Sequence, residues 1–238
     1  MPKKRFAIPA VKLAAKYSFM PNKLKYVEQG DADQIILDYC CGHRKNYKMA
    51  RELIESMESV NIFLRLIAEK NNLNQLSKKV VEAYWIGNEL LDNINGSDIK
   101  KALKKELKPE VARLLSKKVP GNALPHHSFH VFHINAVTGA PIFFSNIDNC
   151  RIHPAIVSDV SKSTLIVSYK PLVKFSKIEQ KQDVEKKINY NPKLSGNLAV
   201  GDIIAVHWNL AIDKLTPKQS QDLEKYTLKN IDAMNSLN

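Results

Sequence analysis

Residues 124–135 read LPHHSFHVFHIN and carry four of the chain's seven histidines within eight positions. The conformation of this stretch decides what those histidines can do together. As a strand, rising about 3.3 Å per residue, it places His126 and His130 on one face roughly 13 Å apart, near the limit of what two imidazoles can span, with His127 and His133 farther apart on the other face. As a helix opened by Pro125, it places His126, His130 and His133 at i, i+4 and i+7 on one face, and the first two then resemble the zinc-binding pair of H-x-x-x-H helices. Phe129, Val131, Phe132 and Ile134 are β-branched or aromatic, and a Gly139-Ala140-Pro141 break follows, so composition predicts a strand. A metal site then needs donors from two elements, with Pro125-His126-His127 in an irregular lead-in to the strand.

The second donor is sought in AVHWN, where His207 is expected on a strand of the same sheet, with Val206 and Trp208 facing the other side. Pairing could bring it beside His127 or His130. Neutral imidazole binds zinc, nickel, copper or iron, and clustered histidines are the usual first sign of such a site. Two blander readings stand beside it: histidines bonded to backbone or carboxylate groups in a partly buried sheet, and metal-free acid/base catalysis.

Working outward, residues 45–70 place Met49, Leu53, Met57, Val60, Leu64 and Ile67 at spacings of three and four, which predicts one amphipathic helix. Ser77 caps a second through VVEAYWIGNELLDNI, apolar nearly all round and stopping near Asn95-Gly96. Gly87 inside it costs about 1 kcal/mol against alanine, so a close approach there is expected, most simply by another helix backbone. Ser97-Asp98 caps the basic IKKALKKEL, Pro109 opens EVARLLSKK, and shorter helices are expected near 9–19 and 31–41.

The composition changes at Val119-Pro120-Gly121. Beyond it SFHVFHINAV, PIFF, CRIHPAIVSDV, STLIVSY and PLVKF are separated by turn residues and read as antiparallel strands; IIAVHWNLAI reads as another, and Lys177–Pro192 as a loop or extra hairpin. Thr216-Pro217-Lys218-Gln219 is a capping box with proline at the first helical position, launching a helix to about Asn235 with Leu223, Tyr226, Ile231 and Met234 as its apolar side. Helices, then strands, then one helix is the α+β order: a helical N-terminal half (1–119) packed on an antiparallel sheet with a C-terminal helix (120–238), as two domains or one integrated domain.

The 238 residues are 44% hydrophobic, enough for a substantial core. No apolar run approaches the roughly 20 residues of a membrane span, the start lacks a convincing cleavage site, and three cysteines suggest no disulfide framework. The expectation is a cytoplasmic protein without a membrane partner. The net charge of +12 is concentrated in residues 1–119, with 23 Lys/Arg against 14 Asp/Glu. Lys100, Lys101, Lys104, Lys105, Lys117 and Lys118 could contact nucleic acid or an acidic protein, although no nucleic-acid motif accompanies them; a solvated lysine-rich helix surface is the plainer account.

Cys40-Cys41-Gly42-His43 and Cys150-Arg151-Ile152-His153 each contain C-x-x-H, and two such knuckles could build a Cys2His2 zinc centre; buried thiols acting as small hydrophobes are the commoner outcome. No nucleophile elbow, P-loop, dinucleotide fingerprint or H-E-x-x-H is present. Ser128 between His127 and His130 would point away from them on a strand. Glu82, Asn88, Glu89 and Asp92 could supply acid or amide groups, though solvent-facing or helix-pairing roles suit the acids better.

PHHSFHVF (125–132), VVEAYWIGNELLD (80–92) and AVHWN followed by KLTPKQ (205–219) together resemble a prokaryotic family of unknown function associated with nickel-iron hydrogenase gene neighbourhoods. The resemblance runs from Phe19-Met20-Pro21-Asn22 to the terminal helix. His126, His127, His130 and His207-Trp208 match its pattern, whereas His133, His153 and Cys40-Cys41 are peculiar to this chain. A Tyr-Cys-Gly of the family is Tyr26-Val27-Glu28 here, which puts thiol chemistry at that position in doubt. The resemblance implies His126, His127, His130 and His207 as ligands of a transition metal ion, zinc or nickel, in a metal-binding or metalloenzyme-accessory protein whose partner is a metalloenzyme. A basic interaction module and a small histidine-dependent hydrolase are the alternatives.

Overall fold

The computed structural model describes residues 8–24, 31–43, 46–138 and 144–237. The basic start MPKKR, Tyr26-Val27-Glu28 and the Gly139-Ala140-Pro141 break lie outside the described residues. The chain is α+β: helices α1 (Ile8–Lys23), α2 (Ala32–Cys40), α3 (Tyr47–Ser56), α4 (Glu58–Lys70), α5 (Lys78–Trp85), α6 (Gly96–Glu106), α7 (Pro109–Ser116), α8 (His127–Thr138) and α9 (Phe144–Cys150) precede the strands. These are β1 (His153–Val160), β2 (Thr164–Tyr169), β3 (Leu172–Lys174), β4 (Ile178–Gln180) and β5 (Val184–Asn189), then α10 (Pro192–Ser195), β6 (Ile203–His207), β7 (Leu210–Lys214) and α11 (Pro217–Asn235). No helix among the described residues is long and apolar enough to cross a membrane.

The stretch 127–135 is helical, which corrects the expectation of a strand. His126 starts α8: its carbonyl accepts from the amides of Phe129 (3.0 Å) and His130 (3.3 Å), and its imidazole Nδ1 accepts from the Ser128 amide (3.3 Å), the task usually done by a capping Ser or Asp. Asn230 of α11, fully buried, clamps the approach by accepting from Leu124 N (2.9 Å) and donating to Ser128 Oγ (3.1 Å). Phe129 and Phe132 enter the core while Ile134 is exposed, a helical periodicity. Tertiary packing here overrides a propensity worth only tenths of a kcal/mol per residue.

Elsewhere the expected helices form with revised ends. The single helix over 45–70 is two, interrupted at Met57 (ψ 73°), and Asn61 Nδ2 bridges the break, donating to the carbonyls of Ile54 (2.8 Å) and Met57 (3.0 Å) that also accept backbone amides. Ser77 caps α5 as expected, but α5 ends at Trp85 and Gly87 lies beyond it at φ +97°, where a Cβ would sit 2.4 Å from the Tyr226 ring. The close approach is real, and a side chain of α11 makes it rather than a helix backbone. Asn95 with Asp98, rather than Ser97, caps α6; Thr216 caps α11 in the expected capping box with Pro217 at the first turn.

Strands β1, β2, β5, β7 and β6 close into a barrel in that order, while β3 and β4 form a separate antiparallel pair. The barrel is mixed, since β5 meets β7 in parallel at Asn189 and Leu210, and closure removes the exposed edges that invite aggregation. Its interior takes Val157, Val167, Ile188, Ile204 and Val206. Alternation along β6 therefore sends Ala205 and His207 outward, and Ala205 joins the larger core that runs from Ala10 on α1 to Met234 on α11. The segment IIAVHWNLAI is not one strand but two. Trp208 (φ +52°) and Asn209 (φ +56°) form a two-residue turn of the type I′ kind, so Trp208 lies in the turn and not, as expected, on a strand face shared with Val206.

Candidate metal centre

Three element ends meet where the helical layer rests on the barrel: His127 at the start of α8, Cys150 at the end of α9 and His207 at the end of β6. One donor atom from each lies within 4.8 Å of the others, and this is the one group of three or more such donors among the described residues. Ligand atoms of a tetrahedral zinc site, with bonds of roughly 2.0–2.3 Å, stand roughly 3.3–3.6 Å apart, so side-chain adjustments of about 1 Å would close the set.

Each end is held by backbone. Cys150 is bracketed by Asp148 and Arg151, both buried, with Arg151 Nε donating to Asp148 Oδ1 (2.7 Å) and its guanidinium to the Lys170 carbonyl (2.6 Å). The Trp208 amide donates to the Asn149 carbonyl (2.7 Å), so the β6–β7 turn is tied to the end of α9. A bulky residue in the left-handed region costs roughly 1–2 kcal/mol, strain that is spent at the bond joining His207's strand to the thiol's helix.

His207 has a fixed tautomer. Its Nδ1 lies 2.9 Å from the Tyr17 carbonyl, which can only accept, so Nδ1 carries the proton and Nε2 presents a lone pair. That Nε2 is buried and makes no hydrogen bond of regular geometry; the Cys150 carbonyl is the backbone group near the ring on this side. The Tyr17 carbonyl is open to His207 because residue 21, whose amide would ordinarily bond to it within α1, is proline. A carbonyl that fixes the outer nitrogen of an imidazole while the inner one faces a site is the usual arrangement behind metal-ligating histidine.

His127 Nε2 lies 3.1 Å from the Cys150 carbonyl, its ring centroid is 5.2 Å from that of His207, and Trp85 lies against its other side at 4.8 Å. The Tyr84 hydroxyl is shared, 2.9 Å from His130 Nδ1 and 3.5 Å from His127 Nδ1, so His130 reaches the centre through Tyr84. His126 stands apart: with Nδ1 accepting from Ser128, its remaining proton is on Nε2, and it serves the helix start. His133 donates from Nε2 to the Leu115 carbonyl (2.8 Å). Of the residues expected from sequence, the structure thus brings His127 and His207 together, sets His130 beside them and keeps His126 out. Among the described residues, the hydrogen bonds given for the rings at 126, 127, 130, 133 and 207 go to backbone carbonyls, Ser128 and Tyr84 rather than to a carboxylate.

Burial sets the protonation. It lowers His207 and His130 to about 4 and His126 to about 3, and pushes His127 well below the usual imidazole range, with His207 and His130 nearby adding to the effect. The Cys150 thiol is pushed up to about 12 by burial, against a hydrogen bond from Trp208 that pulls it down. The centre is therefore neutral at physiological pH: two neutral imidazoles and a protonated thiol.

Sequence reasoning placed Cys150 in a pair of C-x-x-H knuckles. That pairing does not form: Cys40 is buried in the core while His43 is exposed, the donors grouped with Cys150 are His127 and His207, and His153 stacks on Tyr169 (4.5 Å). The cysteine nonetheless joins the histidines. Tyr84 and the Tyr17 carbonyl were missed; the signal for the latter was Pro21 inside a helical run.

No curated protein and no solved structure matches the chain. A family model described as a family of unknown function, DUF6390, matches residues 8–238, and the chain belongs to that family.

Proposed function

We propose that the chain is a cytoplasmic metal-binding protein that holds a transition metal ion, zinc or nickel, through His127, Cys150 and His207, with His130 acting through Tyr84. The observation that carries this reading is the convergence of His207, whose Nδ1 is held by the Tyr17 carbonyl so that its buried Nε2 presents a lone pair, with a thiol and a second imidazole. Thiolate and imidazole together suit these ions, and three protein donors leave a fourth position for an exchangeable ligand, as an accessory protein that receives and passes on metal requires. The family resemblance supports a metalloenzyme as client, with nickel-iron hydrogenase first among them.

Elemental analysis of tag-free protein tests the site. One zinc or nickel per chain is expected, retained in His126→Ala and lost in Cys150→Ala and His207→Ala; substoichiometric metal in the wild type refutes it. Cobalt substitution should add a thiolate charge-transfer absorption that Cys150→Ser abolishes.

A second reading has an observation of its own. Lys100, Lys104, Arg113 and Lys117 line a cleft of about 550 Å³ between α6 and α7, and none of them is ion-paired among the described residues, whereas Lys105 is paired with Glu69 and Lys118 is bonded to the Ala136 carbonyl. Such a surface would bind an acidic protein or a phosphate backbone. Binding to a single-stranded oligonucleotide or an acidic peptide that ignores salt and survives Lys104→Glu would remove it.

A further inference from the structure

We infer that Pro21 is a positioning residue for the metal centre: by withholding a backbone N–H in the last turn of α1, it reserves the Tyr17 carbonyl for His207 and so sets which nitrogen of that ring carries the lone pair. The metal part of this inference rests on the reading proposed above; the tautomer part does not.

In an α-helix the amide of residue i donates to the carbonyl of residue i−4, so the partner of Tyr17 would be residue 21. Proline there supplies no donor. The ladder resumes just beyond, where Leu24 N donates to the Met20 carbonyl (2.9 Å), and the Ser18 carbonyl is served by the Asn22 side chain (2.8 Å). Tyr17 is fully buried, so its carbonyl has no water to turn to, and an unpaired buried carbonyl costs on the order of 1–3 kcal/mol. The donor that arrives is His207 Nδ1, from 190 residues away. With any other residue at 21, a correctly placed N–H would compete. A carbonyl can accept two hydrogen bonds, so competition weakens the His207 bond rather than abolishing it, and the ring becomes free to carry its proton on Nε2. In that tautomer the nitrogen facing Cys150 and His127 offers a proton where a cation would have to bind. Proline inside a helix normally costs stability; here its cost is offset by a bond from the barrel that no helical amide could make.

The test compares the full-length wild type with Pro21→Ala and with a chain carrying lactic acid at 21, whose ester linkage, like proline, has no N–H. Two readouts are taken: the ring-nitrogen shifts of 15N-labelled His207, which report the tautomer without metal, and zinc affinity. The wild type should show Nδ1 protonated and Nε2 bare. Pro21→Ala should move population toward the Nε2–H form and lower zinc affinity about 10- to 100-fold, the usual loss on removing a ligand's outer partner, while thermal stability holds or rises. The ester chain should restore both readouts. An unchanged tautomer in Pro21→Ala overturns the inference, and so does an ester chain that behaves like Pro21→Ala, since proline would then act by shape. Absence of zinc binding in all three chains refutes the metal reading alone, and the tautomer shift still decides the role of Pro21.

Discussion

Metal binding at this centre should expel one proton per ion, with a pH dependence set by burial. The Cys150 thiol stands at about 12 instead of its ordinary 9.0, so burial adds roughly 4 kcal/mol to the cost of making the thiolate. A divalent cation can meet that cost, because coordination deprotonates the thiol. His207 is lowered to about 4, and burial holds His127 well below the usual imidazole range, so neither imidazole adds appreciably to the proton release. Between pH 5 and 7, below the range in which a zinc-bound water ionises, apparent zinc affinity should therefore rise about tenfold per pH unit, about a hundredfold in all. An exposed site of the same residues would behave differently. Its imidazoles would titrate near 6.5 and release protons as well, so the slope at pH 5 would approach three. Chelator-buffered zinc titrations at several pH values measure the slope, and calorimetry in buffers of different ionisation enthalpy counts the proton directly. In Cys150→Ser the slope should fall to near zero. A wild-type slope of two or more, or of zero, refutes the assignment of a protonated, half-buried thiol and two neutral imidazoles.

The same depressed imidazoles make the fold acid-sensitive. His126 and His207 titrate at about 3 and about 4 when folded, against 6.5 otherwise, so the unfolded chain takes up protons first; the stability they confer is complete above pH 6.5 and is lost as pH falls, by roughly 5 kcal/mol for the pair at pH 4.5. His127 and His153 shift the same way, and urea midpoints that stay level from pH 7 to 4.5 would contradict this. Gly87→Ala should destabilise by more than about 2 kcal/mol, because positive φ and the Tyr226 ring 2.4 Å from the new Cβ act together, whereas Gly42→Ala, with a similar φ and open space around it, should cost about 1–2 kcal/mol; equal melting losses would remove the steric argument. Asn209→Gly should raise stability by up to about 1 kcal/mol, since its φ of +56° suits glycine in a type I′ turn, and a lowered melting temperature would show that the Asn209 side chain matters more than its backbone.

Much of this architecture was legible in the sequence, and the illegible parts share a cause. The capping box at Thr216, the helical stripe through Leu64 and Ile67, and the β-branched runs of β1 and β2 are periodic or punctuated features that need no knowledge of what packs against them. Residues 127–135 failed as a strand because their apolar residues suit either period, and what decides between them is Asn230, more than 90 residues away in sequence, holding Leu124 and Ser128. Cys150 could not be chosen over Cys40 from spacing, because both sit in the same four-residue pattern and only the fold places one beside His207. The centre is assembled where backbone ladders stop: His126 takes up an orphan amide at the start of α8, the Cys150 carbonyl at the end of α9 receives His127, and the Tyr17 carbonyl, opened by proline, receives His207. Periodicity describes the interiors of elements, whereas unpaired backbone groups appear at their ends and breaks. A histidine that must be held in one tautomer needs such a group, so the residues that position this site are found at interruptions, and Pro21 in FMPN was a visible mark of one.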